Sequence, residues 1–70
     1  MPIRMAPVGK EMRIVKILTD DKTRKHLGSL GITIDAKITV ISEQNGGIIC
    51  LVKDGGLALD KDVSTKILVA

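Results

Sequence analysis

The stretch Arg24-Lys25-His26-Leu27-Gly28-Ser29-Leu30-Gly31-Ile32 is the one place in this chain where a helix pattern runs directly into a strand pattern. Leu27 and Leu30 lie three residues apart and therefore share one face of a helix. Gly31 can adopt the left-handed conformation that ends a helix. Ile32 then takes the position that contacts Leu27 in a Schellman ending. The pattern predicts one helix that delivers the chain directly into a sheet.

Acidic residues mark the start of this helix. Thr19-Asp20-Asp21 offers N-cap candidates, and carboxylates are favoured there by the unpaired backbone amides and the helix dipole. The predicted helix runs from about Asp21 to Leu30. Gly28 lowers its intrinsic stability by up to about 1 kcal/mol relative to alanine. The helix is therefore expected to depend on packing through its two leucines.

The composition indicates one small domain, residues 1–70, with a wholly aliphatic core. Apolar residues make up 44% of the 70 positions, led by ten Ile, seven Leu and six Val, and there is no Phe, Tyr or Trp. β-Branched residues favour strands. The lack of aromatic rings argues against single-stranded nucleic acid, which binds stacking platforms, and against proline-rich peptides, which bind aromatic grooves. The net charge of +3 is spread along the chain, so we expect no nucleic-acid partner.

Alternating apolar residues predict the first strands. In residues 11–18, Met12 and Ile14 lie on one face, and the doubled apolar residues that follow predict a bend or bulge near Val15 or Lys16. Residues 37–42 alternate clearly, with Ala36, Ile38 and Val40 on one face. Both segments are typical of strands with one buried side.

Two glycine turns divide the second half of the chain. Gln44-Asn45-Gly46-Gly47 contains Asn-Gly, which suits a type I′ hairpin turn. The next strand, residues 48–53, is apolar up to Val52 and is expected to be covered on both faces. Asp54-Gly55-Gly56 predicts a second tight turn into Leu57-Ala58-Leu59.

The two ends of the chain complete the predicted fold. Pro2, Pro7 and Gly9 favour an extended arm or an edge segment over residues 1–9. Residues 60–65 suit a single 3₁₀ turn, and residues 66–70 a closing strand. About five strands and one short α-helix predict a mainly β, SH3-like, partly closed barrel. An unpaired edge at the Ile3 arm or the final strand could support weak homo-oligomers.

Few side chains could carry chemistry. Cys50 has no cysteine partner, which favours a reducing compartment and hence the cytoplasm. Cys50 and His26 form no recognisable catalytic pair, and Asp20, Asp21 and His26 are the only neighbouring candidates for a ferrous ion. We therefore predict no enzyme, no cofactor and no metal site. The longest apolar run, Ile48 to Val52, is far too short for a membrane span, so direct membrane insertion is not expected.

The order of these parts resembles the FeoA family of ferrous iron transport accessory proteins. The resemblance covers nearly the whole chain, and Ile34-Asp35 stands where a Pro-Gly turn is usual in the family. The matching positions are Arg24, Leu27, Leu30, Gly31, Ile32, Ala36, Ala58, Leu59, Ile67 and Val69. The same pattern occurs as the C-terminal SH3-like domain of iron-dependent repressors of the diphtheria toxin repressor type.

The resemblance implies a function in protein-protein interaction. The implied partner is the cytoplasmic G domain of the FeoB ferrous iron transporter. We place the contact on the exposed helix face of Lys22, Arg24, Lys25 and His26, where positive charge could meet an acidic surface. The competing interpretation is that this is only a solvated face. The alternative function is a stand-alone metal-responsive module related to the repressor domain.

Overall fold

The computed structural model describes residues 1–53 and 55–70, and within them it confirms the mainly β, SH3-like fold of five strands. All neighbouring strands are antiparallel, and their order in the sheet is β4-β3-β2-β1-β5. The elements are a 3₁₀ turn at Ile3–Met5, β1 at Glu11–Ile17, α1 at Asp21–Ser29, β2 at Lys37–Gln44, β3 at Gly47–Val52, β4 at Gly55–Leu59, α2 at Lys61–Lys66 and β5 at Ile67–Val69.

A bulge in β1 bends the sheet towards closure. The first half of β1, residues 11–13, pairs with β2, whereas Ile14, Lys16 and Ile17 pair with β5. The register shifts between Ile14 and Lys16, so the extra residue is Val15. The predicted bend is confirmed, and it allows one strand to serve two sides of a partly closed barrel.

The core is aliphatic, as the composition predicts. Met12 and Ile14 are both buried, which confirms their shared face, and Ile38 and Val40 are buried beside them. The buried apolar side chains are Ile3, Ala6, Met12, Ile14, Ile17, Leu27, Ile32, Ile38, Val40, Ile48, Cys50, Val52, Leu59, Ile67 and Val69.

The helix α1 ends in the predicted Schellman motif. The Ile32 amide donates to the Leu27 carbonyl at 3.0 Å, and the Gly31 amide donates to the Gly28 carbonyl at 3.1 Å. Gly31 has φ +95°, and a Cβ there would lie 3.1 Å from a Val52 methyl carbon. Both Leu27 and Ile32 are buried, but Leu30 is 41% exposed. The prediction that Leu30 packs into the core is therefore wrong, because the helix ends at Ser29 and Leu30 is the C-cap residue beyond its last turn.

The turns on either side of β2 follow local backbone preference. The Ala36 amide donates to the Thr33 carbonyl at 3.1 Å, and Asp35 has φ +70°, a left-handed conformation that aspartate tolerates better than most residues. Asn45 and Gly46 have φ +51° and +84°, as a type I′ turn requires. The predicted type I′ turn is confirmed, and the turn at Ile34-Asp35 lies where the family resemblance implies one.

The N-terminal segment is not simply extended. Pro2 forms a bridge with Leu68, and residues 3–5 then close a 3₁₀ turn in which the Met5 amide donates to the Pro2 carbonyl at 3.0 Å. Ile3 is fully buried. The edge-segment prediction is confirmed for residues 1–2, whereas the extended-arm prediction is wrong for residues 3–5, where the chain turns and Ile3 is buried.

The segment after β4 forms an α-helix instead of the predicted 3₁₀ turn. The Asp60 side chain accepts a hydrogen bond from the Val63 amide at 2.8 Å and caps α2. The Ser64 side chain is fully buried, and α2 packs on the 3₁₀ turn at Ile3–Met5 and on β3. The six-residue helix thus obtains stability from tertiary packing that its length alone would not supply.

Two expectations for β3 and its following turn also need correction. Leu51 is 44% exposed, so β3 is covered on one face only. Gly55 already lies in β4 and pairs with Val52, so the turn comes before the glycine pair, with Lys53 at φ +55°. Asp54, which the sequence places in this turn, lies outside the described residues.

Candidate functional site

Helix α1 carries Lys22, Arg24, Lys25 and His26, the four side chains that the sequence predicts to contact a partner. Asp20 caps its N-terminus by accepting a hydrogen bond from the Thr23 amide at 2.8 Å. Hydrogen bonds from Thr23, through its side chain first and its backbone amide second, lower the pKa of Asp20. At the other end, the buried Leu27 attaches the helix to the core. The cap and the anchor together fix which way the remaining side chains point.

Three of the four predicted residues share one side of the helix. With about 3.6 residues per turn, Lys22, Lys25 and His26 fall within an arc of about 100° on the side away from the sheet. All three are exposed. We call these three residues the outer cation face, after the ammonium groups of its two lysines.

Arg24 lies elsewhere, because it is rotated by about 200° from Lys22 around the helix. It lines a cavity of about 260 Å³ together with Lys16, Ile17 and Ile34. We call these four residues the Arg24 groove. Ile17 forms its buried floor, whereas Ile34 is 53% exposed. The sequence prediction missed the three partners of Arg24, since they come together only through the β1 bulge and the turn at residues 33–36.

The cations of both surfaces have no acidic partners in the described part of the chain. The ion pairs found there are Arg13 with Asp35, Lys37 with Glu11 and Lys66 with Asp62. None of them includes Lys16, Arg24 or a residue of the outer cation face. These cations are therefore available to an external acidic group.

Cys50 is a core residue and does not meet His26. The thiol is fully buried and donates a weak hydrogen bond to the Leu57 carbonyl at 3.4 Å, whereas His26 is exposed. Burial raises the pKa of the Cys50 thiol to about 11. A thiol of this kind is a poor nucleophile, because the thiolate is the reactive form.

The raised pKa of Cys50 predicts a pH dependence of stability. In the unfolded chain the thiol ionises with its ordinary pKa of 9.0, but in the folded chain its pKa is about 11. Its stabilising contribution is complete below pH 9 and is lost as the pH rises through 11. Chemical denaturation at pH 9 and at pH 11 should show a loss of stability that is about 2 kcal/mol larger than in Cys50→Ala. An equal loss in the two proteins would contradict the buried neutral thiol.

Residues 1–53 and 55–70 contain no cluster of three or more His, Cys, Asp and Glu side chains that could hold a metal ion. Asp20, Asp21 and His26 therefore do not form a ligand set of that size. No helix in the same residues is long and apolar enough to cross a membrane.

A larger cavity, of about 490 Å³, lies between the β2-β3 hairpin and the start of α2. Its lining includes Asn45, Ile49, Ala58, Asp60 and Lys61. Opposite charges from Asp60 and Lys61 line it side by side, so it has no net preference for an acidic or a basic ligand. We therefore place the candidate site at α1 and the Arg24 groove.

These features define a small SH3-like domain with a basic, partly apolar surface around α1. Comparison with known proteins assigns the family. The family model described as the FeoA domain matches residues 1–70, and the chain belongs to the FeoA family.

Individual relatives agree with this assignment. A Methanocaldococcus jannaschii protein described as an Fe(2+) transport protein A is 34% identical to this chain over 68 residues. The match covers 97% of this chain and 83% of the relative. A crystal structure of an iron uptake regulatory protein, FeoA, has a TM-score of 0.88 at 28% identity and covers 99% of this chain and 93% of that chain.

The fold also occurs in a transcriptional regulator. A manganese-dependent transcriptional repressor has a TM-score of 0.87 at 18% identity, covering 99% of this chain and 40% of the repressor. At this identity the likeness concerns the fold alone. It agrees with the predicted similarity to a repressor domain but assigns no metal response to this chain.

Proposed function

We propose that this protein is a cytoplasmic accessory protein of ferrous iron uptake that binds the cytoplasmic G domain of the FeoB transporter. Its membership of the FeoA family and the relative named for Fe(2+) transport support a place in that process. The buried thiol and the separated histidine offer no recognisable catalytic pair. Binding to another protein is the action that the remaining surface supports best.

The observation that carries the proposal is the set of exposed basic residues around α1. Lys22, Lys25 and His26 cover the outer side, and Arg24 and Lys16 flank the groove beside it. Positive charge on such a surface accelerates the encounter with an acidic partner more than it strengthens the final complex. The outer cation face should therefore govern mainly the association rate.

The Arg24 groove supplies what the outer cation face lacks, namely an apolar anchor point. The groove combines the isoleucines Ile17 and Ile34 with two cations. Interfaces obtain most of their affinity from a few side chains that fill cavities of this kind and exclude water. The groove suits a partner segment in which an apolar side chain lies next to a carboxylate, so it should govern mainly the dissociation rate.

The experiment measures binding kinetics between the purified chain and the FeoB G domain, with and without guanine nucleotide. Lys22→Glu with Lys25→Glu should lower the association rate by about tenfold at low salt and reduce its salt dependence. Arg24→Glu should weaken the equilibrium affinity by about thirtyfold, mostly through faster dissociation.

The matched control is Lys10→Glu with Lys61→Glu, which changes the net charge equally at exposed positions outside both surfaces. It should leave the dissociation rate unchanged and affect association much less. If this control and the α1 variants slowed association equally, the overall charge and not α1 would be responsible. If none of the variants changed binding, the docking surface would lie elsewhere.

The competing function, a metal-responsive module, lacks a ligand cluster of three or more side chains in the described part of the chain. An anaerobic titration with ferrous ion tests it directly. Saturable binding that Asp20→Asn, Asp21→Asn and His26→Ala remove together would favour this function over docking alone.

A further inference from the structure

The sheet ends in two outer strands, β5 and β4, which differ in how their free sides are covered. On the β5 side, the Val69 amide donates to the Met1 carbonyl at 2.7 Å, and the Met1 ammonium donates to the Val69 carbonyl at 2.9 Å. Pro2 also forms a bridge with Leu68. The N-terminal segment thus covers the edge at which the sequence suggested self-association.

The β4 edge is different. Gly55–Leu59 pairs with β3 on one side, and no strand among residues 1–53 and 55–70 pairs with it on the other. Its sequence, Gly-Gly-Leu-Ala-Leu, contains no charge and no proline. Charges and prolines are the features by which natural proteins usually keep an exposed edge from pairing with another strand.

The free hydrogen-bonding groups of β4 belong to Gly56 and Ala58. Leu57 pairs with Cys50 of β3. The Leu57 carbonyl accepts a hydrogen bond from the Cys50 thiol, so this carbonyl points towards β3. Because backbone groups alternate in direction along a strand, the amides and carbonyls of Gly56 and Ala58 point away from β3. Both residues are exposed, and their small side chains leave the backbone accessible.

The outer face of the sheet beside this edge is apolar. Leu51, opposite Gly56, is 44% exposed, and Ile41 is 43% exposed on the neighbouring strand. Ile49 lies opposite Ala58 and is half-buried. A strand added to β4 would extend this apolar surface.

We propose that the β4 edge pairs antiparallel with β4 of a second copy of this chain, with Leu57 on the two-fold axis. In this register Gly56 of each copy faces Ala58 of the other. Each of these two Gly56–Ala58 pairs forms two backbone hydrogen bonds, one in each direction. Centring the axis on Gly56 or Ala58 instead would satisfy only one such pair.

A second copy fits this edge better than a charged segment does. An uncharged strand has nothing to attract an acidic or basic partner, but it meets an identical strand without placing like charges opposite each other. Two five-residue strands bury less than the roughly 1,200 Å² of a standard stable interface, so the dimer should be weak and reversible. Each copy carries a net charge of +3, so salt should strengthen the dimer by screening repulsion.

Sedimentation velocity from micromolar to millimolar concentration tests the proposal. The wild-type chain should shift from monomer to dimer, more readily at high salt. Ala58→Pro removes one outward amide, which an edge strand tolerates, and should remain monomeric, whereas Ala58→Val keeps the amide and should still dimerise. Circular dichroism establishes that each variant is folded.

A charge-pair experiment keeps the test decisive if the proline variant fails to fold. A chain with Gly56→Lys and Ala58→Lys should be monomeric, as should one with Gly56→Glu and Ala58→Glu, but an equimolar mixture should form heterodimers. A wild-type chain that stays monomeric throughout, or folded variants that dimerise like wild type, would overturn the proposal. The test uses this chain alone, and its salt dependence is opposite to that expected for docking on the G domain, so the two proposals can fail separately.

Discussion

Replacing Ile14 with alanine is expected to lower the free energy of unfolding by about 3 kcal/mol, within the range for truncating a buried isoleucine. The Ile14 side chain is fully buried, its carbonyl accepts a hydrogen bond from the Asp35 amide, and its amide donates to the Ala36 carbonyl. A domain of this size has a total stability of only about 4 to 10 kcal/mol. Chemical denaturation should therefore show a large loss.

The neighbouring residue provides the control. Val15, the bulge residue, is 36% exposed, and Val15→Ala should cost less than about 1 kcal/mol. The contrast between adjacent positions tests the placement of the bulge itself. Equal losses for the two variants would mean that β1 presents its side chains in a different register.

The second large effect is expected at the start of β3. A Cβ at Gly47 would lie 2.6 Å from the Leu59 carbonyl oxygen, which is a backbone atom of β4 and cannot simply rotate away. Gly47→Ala should therefore separate the two strands locally and cost about 3 kcal/mol, at the upper end of the range for overpacking. Thermal and chemical denaturation should both detect the change.

Gly55→Ala is the matched control, because a Cβ at Gly55 would meet nothing within 4 Å. Its effect should stay within about 0.5 kcal/mol. If Gly47→Ala were equally harmless, β3 and β4 could not approach each other as closely as the structure describes.

The helix ending and the β2-β3 hairpin were predictable because local chemistry decides them. Gly31 is one of the few residues that adopt φ +95° without strain, and Asn45-Gly46 favours its turn wherever strands flank it. The alternation of apolar residues likewise predicted that Met12 and Ile14 share the buried face, because successive side chains of a strand point to opposite faces. In each case the signal lies within a few neighbouring residues.

The missed features depend on contacts between distant parts of the chain. The helix α2 is too short to predict from propensity, and it forms because it packs on the N-terminal 3₁₀ turn and β3. Leu51 belongs to an apolar run but remains 44% exposed, since no element of residues 1–53 and 55–70 covers the outer face of β3 there. An apolar run indicates a strand without stating how many of its faces are covered.

The candidate site was predictable only in part. The sequence identifies Lys22, Arg24, Lys25 and His26 as exposed helix residues, and all four are exposed in the structure. The 3.6-residue period already separates Arg24 from the others, which was a usable signal. That Arg24 meets Lys16 and Ile34 depends on the β1 bulge and on the turn before β2, so the groove required the structure.

The most direct test of docking through α1 is nuclear magnetic resonance of the isotope-labelled chain during titration with the FeoB G domain. We expect the chemical-shift changes to concentrate on α1 and the Arg24 groove, with the largest at Lys16, residues 22–26 and Ile34. Changes confined to the β2-β3 hairpin and β4, with α1 unaffected, would contradict this docking mode.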